Sequence, residues 1–74
     1  MSADVERRIA AMVEEVEKDQ KRLRVFSTGE QIAVALVLDR SELSPHGGYT
    51  MLEAVERLGP DWTRAALRVQ RRRE

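Results

Sequence analysis

Four arginines near the end of the chain are the side chains whose type and spacing come closest to specifying a chemical task. If the segment is helical, they share one face. The four are Arg64, Arg68, Arg71 and Arg72. The opposite, apolar face consists of Trp62, Ala65, Ala66 and Val69. A guanidinium is planar, permanently charged and suited to phosphate or carboxylate oxygens. The pattern predicts contact with nucleic acid or an acidic protein, or else a solvated surface of good helix formers.

A catalytic centre is hard to assemble from this sequence. His46 is the only histidine and lies in a loop rich in glycine and proline. Its polar neighbours are Ser41, Glu42 and Ser44. Nucleophilic catalysis needs a nucleophile, a base and an orienting group brought together by the fold. No spacing here indicates such a group, so the sequence predicts a protein that is not an enzyme.

No metal or cofactor site is predicted either. His46 with Asp39 or Glu42 matches no recognised metal-ligand spacing. The chain has no cysteine, which excludes disulfides, thiolate metal sites and thiol catalysis. The pair Gly47-Gly48 is ordinary loop sequence and forms no phosphate-binding motif.

Length and charge limit the classes of function. The 74 residues predict a single domain spanning residues 1–74, with a small core. Thirteen basic and thirteen acidic side chains cancel, which argues against a protein that coats nucleic acid. Clusters of basic residues remain around Arg22 and in the arginine-rich tail. A protein partner or a second copy of the chain is therefore predicted first, and nucleic acid remains an alternative.

Membrane association is not expected. The longest apolar run, residues 32–38, is far too short to span a bilayer. Asp4 and Glu6 interrupt the N-terminal region, which lacks the apolar stretch of a signal peptide. These features predict a soluble, cytoplasmic protein.

The elements that must position these side chains are predicted to be helices. An all-α, single-domain bundle of about four helices is expected: a long N-terminal helix, a buried apolar helix and a helical pair hinged at Gly59-Pro60. Start and stop signals place the helices at about residues 3–24, 30–40, 50–58 and 60–72.

The first helix carries a narrow apolar seam that has two interpretations. Its N-terminal half consists of Val5, Ile9, Met12 and Val16. Spacings of three and four residues are typical of helix–helix contact. The seam packs either on the chain's own helices or, because the helix is long for so small a chain, on a second copy or a partner groove.

The second segment is apolar on nearly every side, so periodicity alone does not separate a buried helix from a buried strand over residues 32–38. Ser27 and Glu30 fit a capping box, as do Thr28 and Gln31. These caps, the alanines and the lack of a strand partner elsewhere favour a central helix. Thr50 with Glu53 starts the third helix in the same way.

Residues 52–66 resemble the middle of a Myb/SANT-like helix-turn-helix. The shared elements are Ala-Val-Glu, a turn glycine at Gly59, Trp62 three residues later and Ala66 four beyond that. Pro60 fills the turn, no tryptophan precedes the segment at the expected spacing, and no third aromatic residue follows it. The family's function is therefore not carried over to this chain.

The sequence as a whole favours a small non-enzymatic interaction protein. It would be a regulator or inhibitor that binds another macromolecule, alone or as a homodimer. Antitoxins and phage inhibitors are comparable in size and class only. The alternative is a nucleic-acid-binding, helix-turn-helix-like domain that uses the arginine face of its last helix.

Overall fold

In the residues that it describes, the computed structural model shows four α-helices and a 3-10 helix between the first two, which confirms the all-α bundle. No strand occurs in the described part of the chain. The structure describes residues 2–40, 43 and 50–73. His46 and its loop neighbours Ser41, Glu42 and Ser44 lie outside these residues.

Helix α1 spans Ser2–Lys18 and is shorter than predicted. The helix expected over residues 3–24 is divided at Asp19, whose backbone is extended (φ −154°, ψ 103°). The Asp19 carboxylate accepts a hydrogen bond from the Lys21 N–H, and a 3-10 helix follows over Gln20–Val25. Aspartate favours this capping geometry over a helix interior, so the correction has a local cause.

Helix α2 spans Thr28–Leu38 and is the central buried helix that the sequence favoured over a strand. The predicted capping box is present, because Ser27 Oγ accepts from the Glu30 N–H and Glu30 accepts from the Ser27 N–H. The helix ends at Asp39, which adopts the left-handed conformation (φ 54°). Its N–H donates to the Ala35 and Leu36 carbonyls.

Helices α3 (Met51–Leu58) and α4 (Pro60–Arg73) are joined by one residue, Gly59. Thr50 and Glu53 form the predicted capping box at the start of α3. Gly59 has φ 88° and ψ 162°, a region that is accessible almost only to glycine. Pro60 occupies the first position of α4, where its missing N–H costs no helical hydrogen bond.

The core lies where α1, α2 and α4 meet. Side chains from all three helices are almost fully buried there. They include Ile9 and Val13 from α1, Val34 from α2, and Ala65 and Val69 from α4. Helix α3 packs against α2 and α4 at the edge of this core and buries Ala54. None of the described helices combines the length and the apolar character needed to cross a membrane.

Candidate functional site

Helix α4 uses two of its arginines to hold α1. Arg68 Nη1 donates to Glu6 Oε2 at 3.0 Å, and Arg72 donates to the other oxygen of the same carboxylate. The Glu6 side chain is only 7% exposed. We call Arg68 and Arg72 the inner arginines. They compensate the one buried acidic side chain found in the described residues.

The inner arginines also keep Glu6 ionised. The hydrogen bond from Arg68 lowers the pKa of the Glu6 carboxyl below its ordinary value, and the nearby charge and hydrogen bond of Arg72 act in the same direction. Burial alone would raise that pKa, but its effect is outweighed. Arg73, one residue further along, pairs with Glu17 of α1. These charges serve the contact between α1 and α4.

The adjoining strip of α4, on the side towards α3, presents arginines of a different kind. Arg64 and Arg71 lie three residues before and four residues after Leu67, so all three share one face of the helix. Neither arginine has an ion-pair or hydrogen-bond partner among the described residues. We call Arg64 and Arg71 the outer arginines. Leu67 between them is 44% exposed.

An apolar groove runs beside Leu67, between α4 and α3. A hollow of about 200 Å³ opens there, and Val55 forms its α3 wall. The other residues lining this hollow are Leu36, Thr63, Ala66, Leu67 and Gln70. A second hollow adjoins it at Val55 and Thr63 and reaches the turn between the two helices. Its remaining lining residues are Glu56, Gly59, Pro60 and Arg64.

Exposed apolar side chains concentrate at this groove. Leu52 is 84% exposed and Val55 is 37% exposed, and their spacing of three residues places them on one face of α3. Within the described residues, four large apolar side chains are exposed. Val55 and Leu67 line the groove, and Leu52 lies one turn before Val55. The fourth, Val25, belongs to the 3-10 helix.

The two walls of the groove carry opposite charges. Glu56 lies on α3 beside Val55, and it forms no ion pair with a cation of the described residues. The outer arginines lie on α4. We call these polar and apolar groups together the α3–α4 face. It consists of Leu52, Val55, Glu56, Arg64, Leu67 and Arg71.

Side-chain hydrogen bonds hold the α4 wall in place. Gln70 Nε2 donates to the Leu36 and Val37 carbonyls at 3.1 and 3.2 Å, which fixes α4 against the end of α2. Thr63 Oγ1 donates to the Gly59 carbonyl at 2.7 Å and stabilises the first turn of α4. The groove is therefore set by the same contacts that define the turn and the core.

A separate cavity of about 230 Å³ lies where α1 and the start of α2 meet the end of α3 and the start of α4. There the Arg8 guanidinium lies 5.4 Å from the centre of the Trp62 ring and pairs with Glu30 at 2.8 Å. The hydrogen bond from the Ser27 backbone N–H is the main cause that lowers the pKa of Glu30, and Arg8 adds to it. Trp62 is half-buried, as expected for its place on the apolar side of α4.

The seam predicted on the first helix lies inside the molecule. Ile9, Met12 and Val16 are buried in the core, and half-buried Val5 packs against it. Of the two interpretations, the structure shows the seam packed on the chain's own helices. In this conformation the seam is therefore not available to a second copy or to a partner groove.

The predicted arginine site is divided by the fold. Arg68 and Arg72 are engaged with Glu6, whereas Arg64 and Arg71 remain on the outer side with Leu67. Sequence reasoning did not single out Leu52, Val55 or Leu67 as contact residues. The signal was present at Leu67, the one apolar residue that falls on the arginine side of the helical wheel.

The described residues contain no group of three or more histidine, aspartate or glutamate side chains placed to hold a metal ion. The chain was also compared with models of protein families, with curated proteins and with solved structures, and none of the three comparisons returned a match.

Proposed function

We propose that this chain is a small non-enzymatic interaction protein, a regulator or inhibitor, which binds another polypeptide through its α3–α4 face. One observation carries the proposal: exposed Val55 and Leu67 line an apolar groove, with exposed Leu52 one turn before Val55 on α3 and the outer arginines on either side of Leu67 on α4. Exposed apolar groups in a groove with a polar rim are typical of surfaces that bind proteins.

The composition of the face supports a protein partner over nucleic acid. Arginine beside aliphatic side chains is common in protein interfaces, where apolar contact gives affinity and the charged rim gives orientation. A phosphate backbone offers Leu52 and Leu67 nothing to bury against. It would also meet the carboxylate of Glu56 on the opposite wall.

The inner arginines weaken the nucleic-acid alternative further. Their charge is already balanced in part by Glu6, and the chain as a whole has zero net charge. Affinity for nucleic acid depends on the number of phosphates that a protein neutralises. Two outer arginines supply a small part of what such binding requires.

The proposal is tested by selecting peptides from a displayed library on the immobilised chain, at a surface density too low for copies to meet. We expect enrichment of peptides that have apolar residues three and four positions apart, as on one helix face. Their binding should be lost in Leu67→Glu and retained in Arg57→Glu, a matched exposed position on the other side of α3. Selected peptides that bind both variants equally would contradict the proposal.

The nucleic-acid alternative is measured directly by fluorescence anisotropy with a labelled random DNA duplex. Across roughly 50–200 mM salt, three or four phosphate contacts give a log–log slope near −3. Our proposal expects no binding over this range. A slope of that size that becomes flatter when both outer arginines are replaced with glutamine would support nucleic-acid binding and contradict our proposal.

A further inference from the structure

We infer that the occupant of the α3–α4 face is a second copy of this chain, bound so that α3 of each copy packs on α4 of the other. The inference rests on the proposed function and names the partner of the same surface. It follows from the charge and the shape of the two walls of the groove, which complement each other.

The first step is the charge of the two walls. Glu56 on the α3 wall and Arg64 on the α4 wall are opposite in sign and line the same hollow, which adjoins the apolar groove. Arg71 adds a second positive charge two turns further along α4. When a second copy is rotated by 180° onto a surface with an acidic half and a basic half, the acidic half of each copy meets the basic half of the other. A two-fold dimer needs this property, because the same patch is used by both copies.

The second step selects one arrangement. Packing α4 on α4 would bring arginines of one copy near those of the other, and packing α3 on α3 would bring the two Glu56 carboxylates together. Like charges placed opposite each other disfavour both arrangements. Packing α3 on α4 puts Glu56 opposite the outer arginines, and two-fold symmetry makes that contact twice.

The third step concerns the apolar groups. In the same arrangement Leu52 and Val55 of one copy meet Leu67 of the other, so the most exposed leucine of the described residues becomes buried. The core of one chain is small and built mainly from valine and alanine. Domains of this size often gain stability from association.

The experiment is a charge-swap complementation followed by sedimentation equilibrium. One variant is Glu56→Arg, and the other carries Arg64→Glu with Arg71→Glu. We expect the wild-type chain to show a mass twice that of one 8.5 kDa chain, and to dissociate on dilution. Each variant alone meets its own like charge and should be monomeric. An equimolar mixture should recover the mass of a dimer, because both contacts are again between opposite charges.

Circular dichroism of each variant checks that it is folded, and Arg57→Glu is the matched control that should leave the dimer intact. A wild-type chain that stays monomeric up to roughly 1 mM would overturn the inference. So would variants that dimerise as the wild type does, or a mixture that stays monomeric. If the chain is monomeric and still binds selected peptides through Leu67, the inference of a dimer is wrong but the proposed function is supported.

Discussion

Helix α4 presents two sides that use the same residue types in different ways. Its α1 side joins the inner arginines to buried Glu6 and packs Val69 into the core. Its α3 side leaves the outer arginines and Leu67 at the surface, next to an open groove. Arginines three or four residues apart therefore belong to a fixed internal contact on one side and to an accessible surface on the other.

The difference between the two sides arises from what lies opposite each one. On the α1 side buried Glu6 is held within hydrogen-bonding distance, so the guanidinium charge is used in a contact within the chain, although the Arg68 and Arg72 side chains stay 52% and 67% exposed. On the α3 side the neighbouring helix is short and offers leucine, valine and one glutamate across a groove. A helical wheel shows that arginines share a face, but the tertiary neighbours decide which of them are available to a partner.

The largest expected effect on stability comes from truncating one apolar side chain in the core, to be compared with one at the α3–α4 face. Ile9→Ala should lower the free energy of unfolding by about 2–5 kcal/mol, because Ile9 is fully buried and a cavity remains. Leu67→Ala should cost about 1 kcal/mol or less, because nearly half of its surface is already exposed. Urea unfolding of dilute protein measures both. Equal losses would remove the distinction between a packed side and an open one.

Substitution of Gly59, which joins α3 to α4, should have the next largest effect on stability. Gly59→Ala should cost about 1–3 kcal/mol, since its φ and ψ are strained for any residue with a Cβ. No atom lies within 4 Å of the added Cβ, so the cost comes from the backbone alone. Gly29→Ala, in α2 and equally uncrowded, should instead stabilise by about 0.4–1 kcal/mol. Thermal unfolding followed by circular dichroism compares them.

The pH dependence of stability tests the α1 side. The pKa of Glu6 is lower in the folded chain than in the unfolded chain. Its contribution to the free energy of unfolding is therefore fully present above the ordinary glutamate pKa of 4.5. That contribution is lost as the pH falls from about 5 towards the lower, folded pKa. Urea unfolding from pH 7 to pH 3 should show a smaller loss in Glu6→Gln than in the wild type. Glu30, whose pKa is also lowered, accounts for part of the loss that remains.

The smallest effect is expected for the outer arginines. Replacing Arg64 and Arg71 with glutamine should change the free energy of unfolding by no more than about 0.5 kcal/mol, as is usual for surface positions. The same replacement of the inner arginines should cost more, because Glu6 then stays buried without its partners. Both double variants are measured by urea unfolding of dilute protein. A larger loss for the outer pair would show that the outer arginines also serve the fold.

Local sequence signals predicted most of the helical framework. The capping boxes at Ser27 and Thr50 and the pair Gly59-Pro60 mark helix boundaries through bonds made within a few residues. Asp19 carried a local signal as well, since it interrupts the apolar seam and is a strong capping residue. The break was not predicted because the charged residues around Asp19 are also typical of one long, solvent-exposed helix.

The candidate site was less accessible to sequence reasoning because it depends on distant contacts. Glu6 and Arg68 are 62 residues apart, and only the fold shows that they pair. Without that pairing, the four predicted arginines form one undivided face. Likewise, the exposure of Leu52 and Val55 depends on where α3 packs, which its eight residues do not specify.

The position of Trp62 has a practical consequence. It is the chain's single tryptophan, and its ring lies at the junction of α1 and α4 under the guanidinium of Arg8. Indole emission depends on hydration and on nearby charge, so its wavelength should report the separation of these two helices. Leu67 lies on a different side of α4, and events there should leave the emission unchanged. The molecule thus contains an intrinsic optical probe that monitors one of its sides and is insensitive to the other.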